Sequence, residues 1–149
     1  MYLNDFYVLH SEAIMLCQFI EEDLKWIYCY GSPVQDILSN YENVKKMPLG
    51  KLVNAIEELL HGRKPKKEKI LPYSNFLLTL ADKRNYWCHN IFVDFCKNDS
   101  FDGEDCLKGD FVIEKFQELK NDVDILRKTH DQTFVLRNEL AVIRAVNAK

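Results

Sequence analysis

Apolar positions along the chain recur at the helical interval, and they predict the elements in order. From residue 2 to 30, Tyr2, Phe6, Leu9, Ala13, Leu16, Ile20, Leu24 and Ile27 follow one another at steps of three and four, the spacing that places them on one face of an α-helix. At about 1.5 Å per residue this first helix is roughly 40 Å long. Gly31, Ser32 and Pro33 stop it and open a short second helix, with Ser32 as N-cap, Pro33 in the first position and Val34, Ile37, Leu38 and Tyr41 as its apolar face. A third helix is expected from about Pro48 to His61, with Leu49, Leu52, Val53, Ile56, Leu59 and Leu60 inward and Gly62 as its C-terminal glycine. The fourth begins after Pro72, with Ser74 or Asn75 available as cap, and runs to about Lys97. Residues 98 to 110 read as an acidic, glycine-containing surface loop, in which the spacing of Asp99, Asp102 and Glu104 does not fit a calcium-binding EF-hand. A last long helix from Phe111 to about Val146 carries Phe116, Leu119, Val123, Leu126, Phe134, Leu140 and Ile143, with a kink or break placed near Thr129 to Thr133. No strand pattern and no internal repeat is found. The expected class is all-α: an up-and-down bundle of about five helices, with long first, fourth and last helices, in one domain over residues 1–149.

Composition narrows the setting. With 149 residues, 47% of them apolar, the chain can bury a self-sufficient core, and 5 Gly and 4 Pro exclude collagen-like and low-complexity classes. Glu12, Glu21, Glu22, Asp23 and Lys25 interrupt the most apolar stretch, so no membrane span is expected. Met1 to Asp5 contain no basic residue, and no small-residue cleavage site follows; the expected compartment is the cytoplasm. Cys17, Cys29, Cys88, Cys96 and Cys106 are odd in number and lack the Cys-x-x-Cys spacing of zinc sites. They read as reduced, mostly core thiols, and neither a metal nor a cofactor is expected. The net charge of −3 conceals one basic run: Arg63, Lys64, Lys66, Lys67 and Lys69 against Glu68, a local +4. Such a run is a solvated linker or, beside a site, an anion-attracting loop.

Candidate chemistry gathers in the fourth helix, which reads Asp82-Lys83-Arg84-Asn85-Tyr86-Trp87-Cys88-His89-Asn90. On a wheel of 100° per residue, Phe76, Leu77, Leu80, Trp87, Cys88, Ile91 and Phe95 form an apolar stripe with Arg84 near its centre. A guanidinium there needs a carboxylate, a phosphate or a wet interface in front of it, because burying it unpaired costs several kcal/mol. Glu12 and Glu22 are candidate carboxylates for the plainer reading, a structural ion pair. Asn85 and His89 stand at i, i+4 on one face, where they can hydrogen-bond, and lie about 100–140° around the helix from Arg84. Imidazole is suited to proton transfer near neutral pH. His10, His61 and His130 have no such company and read as structural. Tyr86 and Trp87 could stack on bases, but a helical Trp among apolar neighbours reads first as core.

The segment Arg84-Asn85 followed by His89 resembles the HEPN family, small all-α domains with an Arg-x4-6-His motif and commonly Asn, Asp or His after the Arg. An Arg followed five residues on by His arises by chance with a frequency of roughly 0.13 in a chain of this composition. Requiring Asn, Asp or His after it lowers this to about 0.02. The resemblance implies a metal-independent endoribonuclease that works as a homodimer, with Arg84, Asn85 and His89 as catalytic residues, RNA as substrate and a 2′,3′-cyclic phosphate as product. Arg63, Lys64, Lys66 and Lys67 would then line an RNA path. It further suggests a toxin or antiphage effector, with a cognate antitoxin or regulatory protein as partner. Family toxins controlled by a nucleotidyltransferase carry Tyr two residues after the motif His; this chain has Ile91 there. With Arg84 and His89 some 140° apart on an ideal helix, the wheel favours sites composed from both protomers of a twofold dimer. The alternative is a non-catalytic helical module for dimerisation or for nucleotide or protein binding, with Arg84 and His89 as an interface pair.

Overall fold

The apolar spacing is realised as six α-helices in a computed structural model, which describes residues 1–33, 36–61 and 74–147. They are α1 Leu3–Gly31, α2 Ile37–Val44, α3 Leu49–His61, α4 Ser74–Asn85, α5 Ile91–Lys97 and α6 Asp110–Asn147. A π-helical turn, Tyr86–Asn90, joins α4 to α5, and two strands of two residues each, β1 Phe101–Asp102 and β2 Cys106–Leu107, precede α6. The class is all-α as expected. No described helix is long and apolar enough to cross a membrane. Val34, the Gly62 cap and the basic run from Arg63 to Lys69 lie outside the described residues.

Three local expectations are corrected. The second helix begins at Ile37, capped by Asp36, whose side chain accepts from the Ser39 N–H at 3.1 Å. Ser32 is therefore not its N-cap. Instead its carbonyl ends α1: Arg144 places Nη1 2.8 Å from Ser32 O and 3.4 Å from Cys29 O. Since α1 has no basic residue in its own last turn, this borrowed cation satisfies carbonyls that a helix end leaves without donors. Replacing Arg144 with Met should lower the unfolding free energy by about 1–2 kcal/mol, measured by urea denaturation.

The loop after α5 holds a small antiparallel ribbon, with Phe101 opposite Leu107 and Asp102 opposite Cys106. Two residues per strand are too few for an alternation to show in the sequence. Gly103, at φ 75°, supplies the left-handed turn residue between the strands. The chain start joins the ribbon, Leu3 N–H donating to Asp105 O at 2.7 Å and Leu107 N–H to Met1 O at 2.8 Å.

The last helix, finally, has no break. Its inward row at Leu126, Thr129, Thr133, Arg137, Leu140 and Arg144 keeps steps of three and four, but four of these six residues are polar, so a hydrophobic count sees a gap where the helix continues.

The described residues gather into two compact units. One comprises residues 1–18 and 82–128. Its core is aromatic: Phe6 and Phe95 are fully buried, 5.1 Å apart and edge to face, and Phe92, Phe101, Phe111 and Phe116 surround them. Edge-to-face pairing matches the positive ring edge to a negative face and adds about 0.5–1.5 kcal/mol per pair beyond area burial.

The other unit comprises residues 19–81 and 129–149. There Ile20, Leu24 and Ile27 of α1, Leu52, Val53, Ile56 and Leu60 of α3, and Leu140 of α6 are buried. A polar cluster sits among them. Asp23, only 3% exposed, accepts from Arg137 Nη1 at 3.0 Å and Thr133 Oγ1 at 3.1 Å, with His130 Nε2 3.6 Å away.

Candidate functional site around the π-turn

Residues 84 to 90 do not continue the ideal helix on which the wheel was drawn. The Ile91 N–H returns to Tyr86 O, five residues back, where an α-helix would return it to Trp87 O. A turn closed in this way holds roughly one residue more than an α-turn. A wider turn narrows the angular separation of Arg84 and His89 from the roughly 140° of an ideal helix, which weakens the preference of the wheel for sites composed from both protomers.

Three contacts brace the segment within its own unit. Before the turn, Lys83 Nζ lies 3.1 Å from both carboxylate oxygens of Asp122 on α6. Across it, Tyr86 Oη donates to Asp94 Oδ2 at 2.9 Å, with Lys115 Nζ 5.1 Å from the Tyr86 ring centre. Burial first, then the bond to Asp94, pushes the Tyr86 phenol well above its ordinary range, so it stays a neutral donor. On the turn itself, the Trp87 carbonyl is 2.6 Å from His10 Nε2.

The candidate side chains fall around these braces. Arg84 is half-buried at the end of α4, between the buried Leu80 and Trp87 in sequence. Asn85 is exposed and makes no side-chain capping bond to the turn. His89 is exposed on the turn, as are Cys88 and Asn90. Among the described residues no hydrogen bond joins Asn85 to His89, because the widened turn breaks the i, i+4 register that would align them. Trp87 is core, whereas Tyr86 is half-buried. Both carboxylates considered for Arg84 are engaged elsewhere. Glu12 receives a two-pronged contact from Arg127, at 2.7 Å on each oxygen, which holds its carboxyl below the usual range. Glu22 accepts from Trp26 Nε1 at 3.0 Å and Tyr41 Oη at 2.8 Å. Arg63, Lys64, Lys66 and Lys67 lie outside the described residues.

The cysteines divide more evenly than expected. Cys17 and Cys29 are buried, Cys106 is half-buried, and Cys88 and Cys96 are exposed. Cys88 leaves the apolar stripe because the widened turn rotates it away from the ideal wheel. Burial pushes the Cys29 thiol up to about 11. A thiol reagent at pH 8 should therefore modify Cys88 and Cys96 in the folded protein and reach Cys17 and Cys29 only on unfolding, as read by mass spectrometry of the labelled peptides.

Two groups escaped the sequence reading. Asp23 had a signal: it falls three residues after Ile20 and four before Ile27, an inward position for a carboxylate. His10 had none, since its partner is a backbone carbonyl 77 residues away. Among the described residues no group of three or more His, Cys, Asp or Glu is placed to hold a metal ion. No family model, curated protein or solved structure matches the chain.

Proposed function

We propose that the chain is an endoribonuclease of the HEPN type, cleaving RNA by attack of the 2′-hydroxyl without a metal ion. The observation that carries this reading is a half-buried guanidinium, Arg84, followed within five residues by an exposed imidazole, His89, across a braced π-turn. π-turns inside α-helices occur frequently at functional sites. In the reaction, the O2′–P bond forms and the P–O5′ bond breaks. One proton leaves the 2′-hydroxyl and another reaches the departing 5′-oxygen, giving a 2′,3′-cyclic phosphate and a 5′-hydroxyl. His89 is assigned to proton transfer, and Arg84 to the charge developing on the phosphate oxygens, which its planar fork matches. Asn85, exposed and not bonded to His89, is assigned to orienting the substrate.

The reading includes a homodimer, a local RNA path along Arg63, Lys64, Lys66 and Lys67, and cytoplasmic growth arrest or antiphage defence under a cognate antitoxin. The test is incubation of the purified protein with RNA in excess EDTA, followed by analysis of the fragment ends. Fragments ending in 2′,3′-cyclic phosphate and 5′-hydroxyl are expected. Cleavage abolished by EDTA would overturn the metal-independent mechanism, and intact RNA would favour the non-catalytic dimerisation or binding module.

A further inference from the structure

Every π-turn leaves a carbonyl without its α-helical donor, and here that carbonyl belongs to Trp87. Its donor in an α-helix would be the Ile91 N–H, which is committed to Tyr86 O. The Trp87 oxygen accepts instead from His10 Nε2 at 2.6 Å. Because a carbonyl can only accept, Nε2 must carry the proton, which fixes the neutral ring as the Nε2–H tautomer and leaves the bond intact when the ring is protonated. The ring is itself held: it lies 25° from parallel to Phe6 at 6.1 Å and edge-on to Phe92 at 5.3 Å. Phe6 is fully buried, so the donor is fixed by the aromatic core.

We propose that His10 is a positioning residue for the Arg84–His89 site: by donating to the Trp87 carbonyl it stabilises the π-turn and so sets the phase between the two side chains. An α-helical Tyr86–Asn90 segment would satisfy Trp87 O by itself and turn His89 away from Arg84. The donor from α1 tips the choice toward the wide turn. The part of this inference that concerns catalysis rests on the ribonuclease reading; the part that concerns the turn does not.

The experiment therefore has two readouts on the same proteins, wild type, His10→Ala, His10→Gln and His10→Asn. A Gln side chain carries its N–H donor at the reach of histidine Nε2, and Asn carries it one bond shorter. In long-range 15N–1H NMR spectra, wild-type His10 is expected as the Nε2–H tautomer. The His89 ring signals and the Tyr86 to Ile91 amide signals are expected to move in His10→Ala and His10→Asn and to return toward wild type in His10→Gln. In RNA cleavage, kcat is expected to fall about 10-fold in His10→Ala with KM little changed, and to recover in His10→Gln. An Nδ1–H tautomer, or unchanged His89 and turn signals in His10→Ala, would overturn the positioning role. Turn signals that respond as described in a protein that cleaves no RNA would uphold the structural coupling and overturn the ribonuclease reading alone.

Discussion

His89→Ala is expected to cleave RNA at least roughly 10²-fold more slowly than the wild type, the scale of a positioned general acid or base. Arg84→Ala is expected to lose a comparable factor, because a cation aimed at developing phosphate charge acts mainly in the transition state. The loss should appear in kcat as well as in kcat/KM, which separates a transition-state role from uniform substrate binding. Exposure keeps the His89 comparison clean: the side chain contributes little to the core, so His89→Ala should unfold at the wild-type urea concentration. Arg84 is half-buried, and Arg84→Lys serves as its control, retaining the charge while losing the planar fork. The double variant should be scarcely slower than either single one, as for groups acting on one phosphate together. Full activity in folded His89→Ala would remove it from the mechanism.

Arg137→Leu is expected to destabilise the protein by about 3 kcal/mol, the low end for breaking a buried ion pair. The low end applies because the Arg137 side chain keeps 30% of its surface in water, while that of Asp23 keeps 4%. Removing the guanidinium leaves the Asp23 carboxylate facing Thr133 and His130. Most of the cost is thus the stranded charge rather than the lost attraction. Asp23→Asn combined with Arg137→Leu removes that charge while keeping an acceptor for Thr133, and it should recover most of the lost stability. Urea denaturation of the two variants decides the matter: a double variant no more stable than Arg137→Leu would mean that packing of the guanidinium over Trp26, 5.7 Å from the ring centre, carries the effect.

Much of this architecture can be read from spacing alone. The apolar residues of α1 and α3 recur at steps of three and four, and those helices lie where the pattern places them, although Asp23 and Glu57 are buried among them. The pattern fails where backbone or polar partners replace hydrophobic contact. Thr133 and Arg137 occupy the inward row of α6 and are matched by Asp23, more than a hundred residues away. The start of α2 depends on Asp36, and the end of α1 on Arg144, neither of which marks itself in a hydrophobic profile.

At the candidate site, the residue types of Arg84, Asn85 and His89 are legible, but their phase is not. A π-turn is a choice between two hydrogen-bond registers of similar composition, and here the extra donor, His10, comes from another helix. No wheel drawn on residues 74 to 97 contains it.

The pairings that close the two units have a consequence for how the protein is made. Glu12 waits for Arg127, 115 positions later; Asp23 waits for Thr133, 110 later; Ser32 waits for Arg144, 112 later. At translation rates of about 5–20 residues per second, each interval lasts roughly 5–25 s. Throughout it, the apolar row of the nascent α1 lacks the α6 contacts of the finished fold. The growing chain thus offers a long amphipathic helix to ribosome-associated chaperones. A message cut short before the codon for Arg127 would yield Arg84 and His89 with only the first part of α6, lacking Arg127, Thr133 and Arg144. If the chain does cleave RNA, this late closure separates synthesis of its catalytic segment from activity, so that the ribosome producing it has nearly finished its work before a competent site can form.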